Sequence, residues 1–317
     1  MKALSLRFLV GLLAVLGLSV FAEAQELVKE SMASFPPQTI RLEYLHPSQL
    51  RTMPNYASLR QRYVGARLQS MEQSFAKLGV KEADVDELVL GWRPGSAAMD
   101  LEGFVSGRFT AKSTADHAAT AGVSASSVNG LPAYCLGEEP AVTCLVVLKD
   151  SLGAFGSLDS LNAMMATRDQ QSPSLRTDER FSKLVGEAQT QAPIWGVAVG
   201  EAVPDWFRAW LPSQGNLQMD WGKAFQSVEA AVYSIETGDK VRLDVKLDCT
   251  DEQSAESTRQ VFEGLKMFQQ MAWQNLNPNR PNPFETVEIA RDAKRLSLRM
   301  TTNYADLEGA VALGTGY

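Results

Sequence analysis

Residues 241–248 alternate without a break, with Val241, Leu243, Val245 and Leu247 set against Arg242, Asp244, Lys246 and Asp248. A period of two over that length specifies a strand with one buried and one polar face. The stretch 295–301 repeats the pattern, placing Leu296, Leu298 and Met300 opposite Arg295, Ser297, Arg299 and Thr301. Two such strands belong to an antiparallel sheet, the kind that tolerates one solvated face.

The surrounding sequence puts these strands into a recurring order. Residues 228–235 and 240–248 flank Thr237-Gly238, a hairpin signal, and Thr250-x-x-Gln253 then opens a long helix. Its spacing assigns Val261, Phe262, Leu265, Phe268, Met271 and Ala272 to the inner face. The Asn- and Pro-rich loop 277–283 ends the helix, strands at 287–290 and 295–301 follow, and a short helix is expected near 303–311. In the first half, strands at 87–92 and 99–109 surround Arg93-Pro94-Gly95-Ser96, and Ser113-x-x-Asp116 opens a helix to Gly122. Strands at 131–136 and 142–148, helices at 158–165 and 177–185, and a buried strand at 193–199 complete it.

Both halves read strand, strand, helix, strand, strand, helix. The expected fold class is therefore α+β: duplicated ββαββα-type units forming antiparallel sheet, with helices packed on one face. No residue motif repeats with the pattern. The implied organisation is a signal peptide at 1–24, an N-terminal arm and helix at 25–84, and α+β units at 85–200 and 201–317. Within 25–84, Phe35-Pro36-Pro37 and the alternation of Ile40, Leu42 and Tyr44 suggest an extended arm carrying one strand. Spacing from Tyr56 to Leu78 predicts a helix closed by Gly79.

The signal peptide rests on Lys2 and Arg7, an apolar run from Phe8 to Phe21, and the small residues of Ala22-Glu23-Ala24. The run is shorter than the roughly 20 residues that cross a bilayer as a helix, and no later stretch reaches that length. The expectation is a periplasmic or secreted protein with no transmembrane segment after cleavage. The formal charge of -7 becomes -8 without Lys2, Arg7 and Glu23. That sign argues against nucleic acid as a partner, because phosphates need clustered cations.

Three cysteines fit neither a metal knuckle nor a redox dithiol. Cys135 and Cys144 flank a Gly- and Pro-containing turn, where a disulfide closes a short loop in an oxidising compartment. Cys249 continues the buried alternation of the strand before it and is expected free.

Catalytic signatures are sparse. His46 and His117 are the two histidines, neither beside a recognisable nucleophile, and no G-x-S-x-G elbow occurs. Ser74-Phe75-Ala76-Lys77 matches S-x-x-K, but K-T-G and S-D-N are absent. Asp248, Asp251 and Glu252 lack the spacing of a calcium loop, and no phosphate-binding glycine motif is present, so no cofactor and no metal is expected. Two features remain as candidate binding surfaces: the polar strand face with Arg242, Lys246, Arg295 and Arg299, and the segment 204–211, where helical spacing sets Trp206 and Trp210 on one side. The sequence therefore reads as a non-enzymatic binding or interaction protein with an unknown protein or small-ligand partner. The alternatives are a metal-independent hydrolase and an envelope accessory protein presenting the tryptophan helix.

Overall fold

A computed structural model describes residues 26–63, 66–95, 99–137, 142–210 and 220–306. The expected signal peptide lies outside these residues, as do the tip of the 136–143 turn and the end of the last expected helix. Residues 26–34 form α1, where the sequence suggested an extended arm. Leu27, Met32 and Phe35 are all buried, so the proline pair stops a helix that precedes it.

The chain continues through β1 (Arg41–Leu45), α2 (Pro47–Leu50), α3 (Tyr56–Tyr63), α4 (Ala66–Lys77), β2 (Val85–Pro94), β3 (Met99–Gly107) and α5 (Ala111–Thr120). Next come β4 (Ala125–Val128), β5 (Leu131–Leu136), β6 (Thr143–Lys149), β7 (Leu152–Gly156), α6 (Leu158–Arg168), α7 (Glu179–Glu187) and β8 (Ile194–Val199). Then follow α8 (Ala202–Trp210), α9 (Trp221–Ala224), β9 (Val228–Thr237), β10 (Val241–Cys249), α10 (Glu252–Leu276), β11 (Glu288–Asp292) and β12 (Arg295–Thr302).

Among the described residues, twelve strands join one antiparallel sheet in the order β11-β12-β10-β9-β8-β1-β2-β3-β7-β6-β5-β4. The α+β class holds. Strands β4 and β7 are additions to the expected pattern. β4 reads Ala125-Ser126-Ser127-Val128 with one buried side chain, and β7 is buried at all five positions, so neither alternates. The two parts of the sheet meet where β1 pairs with β8, Tyr44 opposite Trp195 and Leu42 opposite Val197.

Helices cover both faces, correcting the expected single face. Val89 and Leu90 are neighbours on β2 and therefore point to opposite sides. Val89 packs in a core with Leu161 and Met164 of α6 and Phe181 and Leu184 of α7. Leu90 packs in another with Met71 and Phe75 of α4 and Ala118 of α5. A third core, on the α4 side, gathers Trp206 and Phe207 of α8 and Ala255 and Phe262 of α10 against Tyr233, Val245 and Leu247. The opposite face of β10 and β12 carries the polar residues.

Side chains start the helices locally. Thr110 caps α5, three residues before the expected Ser113, and Asp251 caps α10 by accepting from Ser254 N at 2.7 Å. Cys135 and Cys144 face each other across β5 and β6 and are disulfide-bonded, whereas Cys249 is free and buried.

Candidate functional site

On the polar face of β10 and β12, cross-strand register turns charge into pairs. Arg295 lies opposite Asp248 and donates to both its carboxylate oxygens at 2.6 and 2.9 Å, with a third bond of 2.7 Å to Glu187 on α7. The hydrogen bonds with Asp248 are the first reason its guanidinium is held above the ordinary range. Arg299 pairs with Asp244 at 2.8 Å, Arg242 with Glu236 at 3.3 Å, and Lys246 donates to the Glu187 carbonyl. Each of the four cations thus has an acceptor inside the chain. Such a face is a neutralised, solvated surface, and exposed pairs of this kind are worth at most about 1 kcal/mol each.

The tryptophan segment turns inward. Trp206 is 3% exposed and stacks on Tyr233 with ring centroids 4.4 Å apart, while Phe207 stacks on Phe225 at 4.2 Å. The side chains of Trp210 and Trp221 lie outside the described residues. Next to this core, Arg180, Glu201, Pro204, Gln226 and Glu229 line a surface depression of about 350 Å³. Its one described cation, Arg180, is bonded to Glu229.

Groups suited to chemistry are dispersed. The His117 ring nitrogen sits 2.8 Å from the Ser113 carbonyl, a helix contact, and the His46 ring neighbours Tyr44. Among the described residues no three His, Cys, Asp or Glu side chains assemble to hold a metal ion. The carboxyl raised furthest among the described residues is Glu102 on β3, wholly buried, whose pKa burial pushes up to about 7 against the opposing charge of Arg93. It lies under Gly156 and the start of α6. No described nucleophile–base pair stands beside it.

The surface that stands out is on α10. Of the five large hydrophobic residues exposed among the described positions, four belong to this helix: Met267 (58%), Phe268 (37%), Met271 (53%) and Leu276 (65%). Phe268 and Met271 were expected inside. Phe262 is buried as expected and Trp273 joins it on the inner side, while the outer line passes through Gln253, Ser257, Gln260, Gly264, Met267, Phe268, Met271 and Asn275, all exposed. None is charged, which inverts the usual amphipathic helix, whose solvent side carries the charge. The charged residues Glu256, Arg259, Glu263 and Lys266 sit half-buried along one flank. A Cβ at Gly264 would meet nothing within 4 Å. The chain itself therefore gives no reason for a mid-helix glycine that costs about 1 kcal/mol relative to alanine.

No family model and no curated protein matches the chain. Solved structures do: crystal form I of TP0453 aligns over 90% of this chain and 98% of that one, with a TM-score of 0.53 at 12% identity. Crystal form III of TP0453 aligns with a TM-score of 0.48 at 9% identity. The likeness to form I is one of fold. No helix among the described residues is long and apolar enough to cross a membrane.

Proposed function

We propose that this is a non-enzymatic interaction protein of an extracytoplasmic compartment, periplasmic or secreted, and that it binds its partner through the exposed line of α10. The observation that carries the reading is the concentration of exposed apolar side chains, Met267, Phe268, Met271 and Leu276, on a single helix with no charge along its outer face. Apolar patches of this kind mark contact surfaces, and methionine suits them because its flexible thioether adapts to its partner. The ion-paired face of Arg242, Lys246, Arg295 and Arg299 and the buried Trp206 contribute to folding in this reading. Support for the compartment comes from the signal-peptide pattern of residues 1–24 and from the Cys135–Cys144 disulfide.

The sheet is read here as an internal duplication. In its favour, β1-β2-β3-α5 and β8-β9-β10-α10 follow the same path outward from the β1–β8 pair, which starts the halves at β1 and β8 rather than at residues 85 and 201. In each half the last returning strand, β7 or β12, docks on the third strand of that path. The first half differs by one extra hairpin, and α10 is the enlarged counterpart of α5.

The test is site-specific photo-crosslinking in cells that produce the protein. A photoreactive residue at Met267 or Met271 is expected to give a discrete adduct, and one at Arg242 or Glu236 none. Adducts at the control positions alone would overturn the reading.

A further inference from the structure

We infer that the β4–β5 turn is a self-modifying site: Asn129 converts to aspartate and isoaspartate with Gly130 as internal nucleophile, and the conversion loosens edge strand β4 from α6.

Asn-Gly occurs once in the chain, at 129–130. Both residues are exposed, at the tip of the two-residue turn that pairs Val128 with Leu131. Both hold positive φ, 49° for Asn129 and 78° for Gly130, the conformation such a turn demands. The last bonds of the ladder belong to Val128 and Leu131, so the Gly130 nitrogen takes no part in it. Glycine has no side chain to crowd that nitrogen, and a Cβ at Gly130 would meet nothing within 4 Å, so the approach is open.

The reaction needs water and nothing else. The Gly130 nitrogen attacks Cγ of Asn129 and gives up its proton as the new C–N bond closes a succinimide ring. The Cγ–Nδ2 bond breaks, and the amide leaves as ammonia with that proton. Water then opens the ring. Attack on Cγ gives aspartate; attack on the main-chain carbonyl carbon gives isoaspartate, whose backbone runs through Cβ and Cγ. Ring closure swings the Asn129 side chain off its partner and onto the following nitrogen, so it proceeds as the turn opens. Segments with few buried contacts open most readily, and β4 buries only Val128 of its four residues.

The conversion undoes a specific contact. Asn129 Nδ2 donates to Asp169 Oδ2 at 2.6 Å, and Asp169 is the residue that closes α6. Loss of the amide removes the donor and sets a second carboxylate against the first. Isoaspartate also lengthens the backbone of a turn whose register depends on its two residues. Apart from this bond, β4 is held by its ladder with β5 and by Val128, which lies in the core with Leu161 and Met164 of α6. Conversion therefore weakens the outermost strand at this end of the sheet and leaves β5 to become the edge.

Peptide mapping of the purified full chain, incubated folded in mildly alkaline buffer and then reduced, tests the chemistry. Trypsin cuts after Lys112 and Lys149, and the peptide 113–149 contains one side-chain amide, Asn129, so an amide-to-acid mass gain in it has a single source. Two products of equal mass, aspartate and isoaspartate, are expected to accumulate there several-fold faster than acid forms of the peptides carrying the other asparagines. Asn129→Gln, which would have to close a larger ring, is expected to keep its amide. A peptide 113–149 that stays in the amide form, or converts no faster than the others, overturns the site.

Hydrogen exchange tests the consequence. In Asn129→Asp, the amides of Ser126 and Val128, whose partners on β5 are Ala133 and Leu131, are expected to exchange faster than in the wild type. Asn129→Asp combined with Asp169→Asn rebuilds the donor–acceptor pair with its roles reversed and is expected to restore the slow rate. Wild-type exchange in Asn129→Asp, or no recovery in the double variant, overturns the coupling to α6.

Discussion

Tyr233 on β9 donates a hydrogen bond to Glu43 on β1, passing over the intervening strand β8. It does so at Gly196, where a Cβ would lie 2.5 Å from the Tyr233 hydroxyl oxygen and 2.8 Å from the Leu42 carbonyl oxygen. Glu43 is 9% exposed and also accepts from Arg41 at 2.6 Å, so the bond anchors a buried charge in the middle of the sheet. Gly196→Ala is expected to destabilise the fold by roughly 2–4 kcal/mol through this clash, and Tyr233→Phe by about 1–3 kcal/mol through loss of a charge-assisted bond. Urea unfolding of the two variants measures both.

Glu102 gives the fold a pH dependence of defined sign. Its folded carboxyl holds a proton up to about 7, against an ordinary value of 4.5, because it is buried; Arg93, with Nε 3.4 Å away, only partly offsets this. Between those values the folded state binds more protons than the unfolded one, so stability falls as pH rises through that window. The full span amounts to about 3.5 kcal/mol at about 1.4 kcal/mol per pH unit. Glu102→Gln is expected to flatten the stability profile between pH 4.5 and 7. A variant whose melting temperature falls across that range as steeply as the wild type's would show that another group is responsible.

The Cys135–Cys144 disulfide closes a loop with a sequence separation of 9. Replacing both cysteines by serine is expected to cost about 2.5–3 kcal/mol, the entropy released to a short loop in the unfolded chain. Denaturation of the double variant against the oxidised wild type checks this, and the reduced wild type should match the double variant.

The polar face of β10 and β12 is expected to be silent in binding. Arg242 and Arg299 are each paired in the chain and at least half exposed. Alanine at either position should change stability by less than about 1 kcal/mol and leave crosslinking from Met271 intact.

Much of this architecture is legible in the sequence where burial is one-sided. The alternation of Val241 to Leu247 and of Leu296 to Met300 marks strands whose second face is solvated, and both form as read. Reading fails where burial is two-sided or absent. β7 is buried at all five positions, a continuous run that signals helices on both faces and carries no period of two. The edge strand β4, with Ser126 and Ser127 exposed, has no apolar pattern to read. On α10 the apolar residues span too wide an arc for one inner face. Val261, Phe262, Leu265, Phe268 and Met271 fit a single stripe on paper, yet the sheet covers only the part centred on Phe262, which leaves Phe268 and Met271 outside. The signal available in the sequence was the missing charge: from Met267 to Asn279 there is none.

Methionine oxidation footprinting addresses the contact surface most directly. Met267 and Met271 are more than half exposed, whereas Met164 and Met165 of α6 are buried and serve as internal references. In dilute purified protein the first pair should oxidise rapidly and the second slowly. With the protein in its native compartment, Met267 and Met271 are predicted to be protected toward the rate of the buried pair. Equal, rapid oxidation of Met267 and Met271 under every condition would contradict the assignment of α10 as the surface through which this protein works.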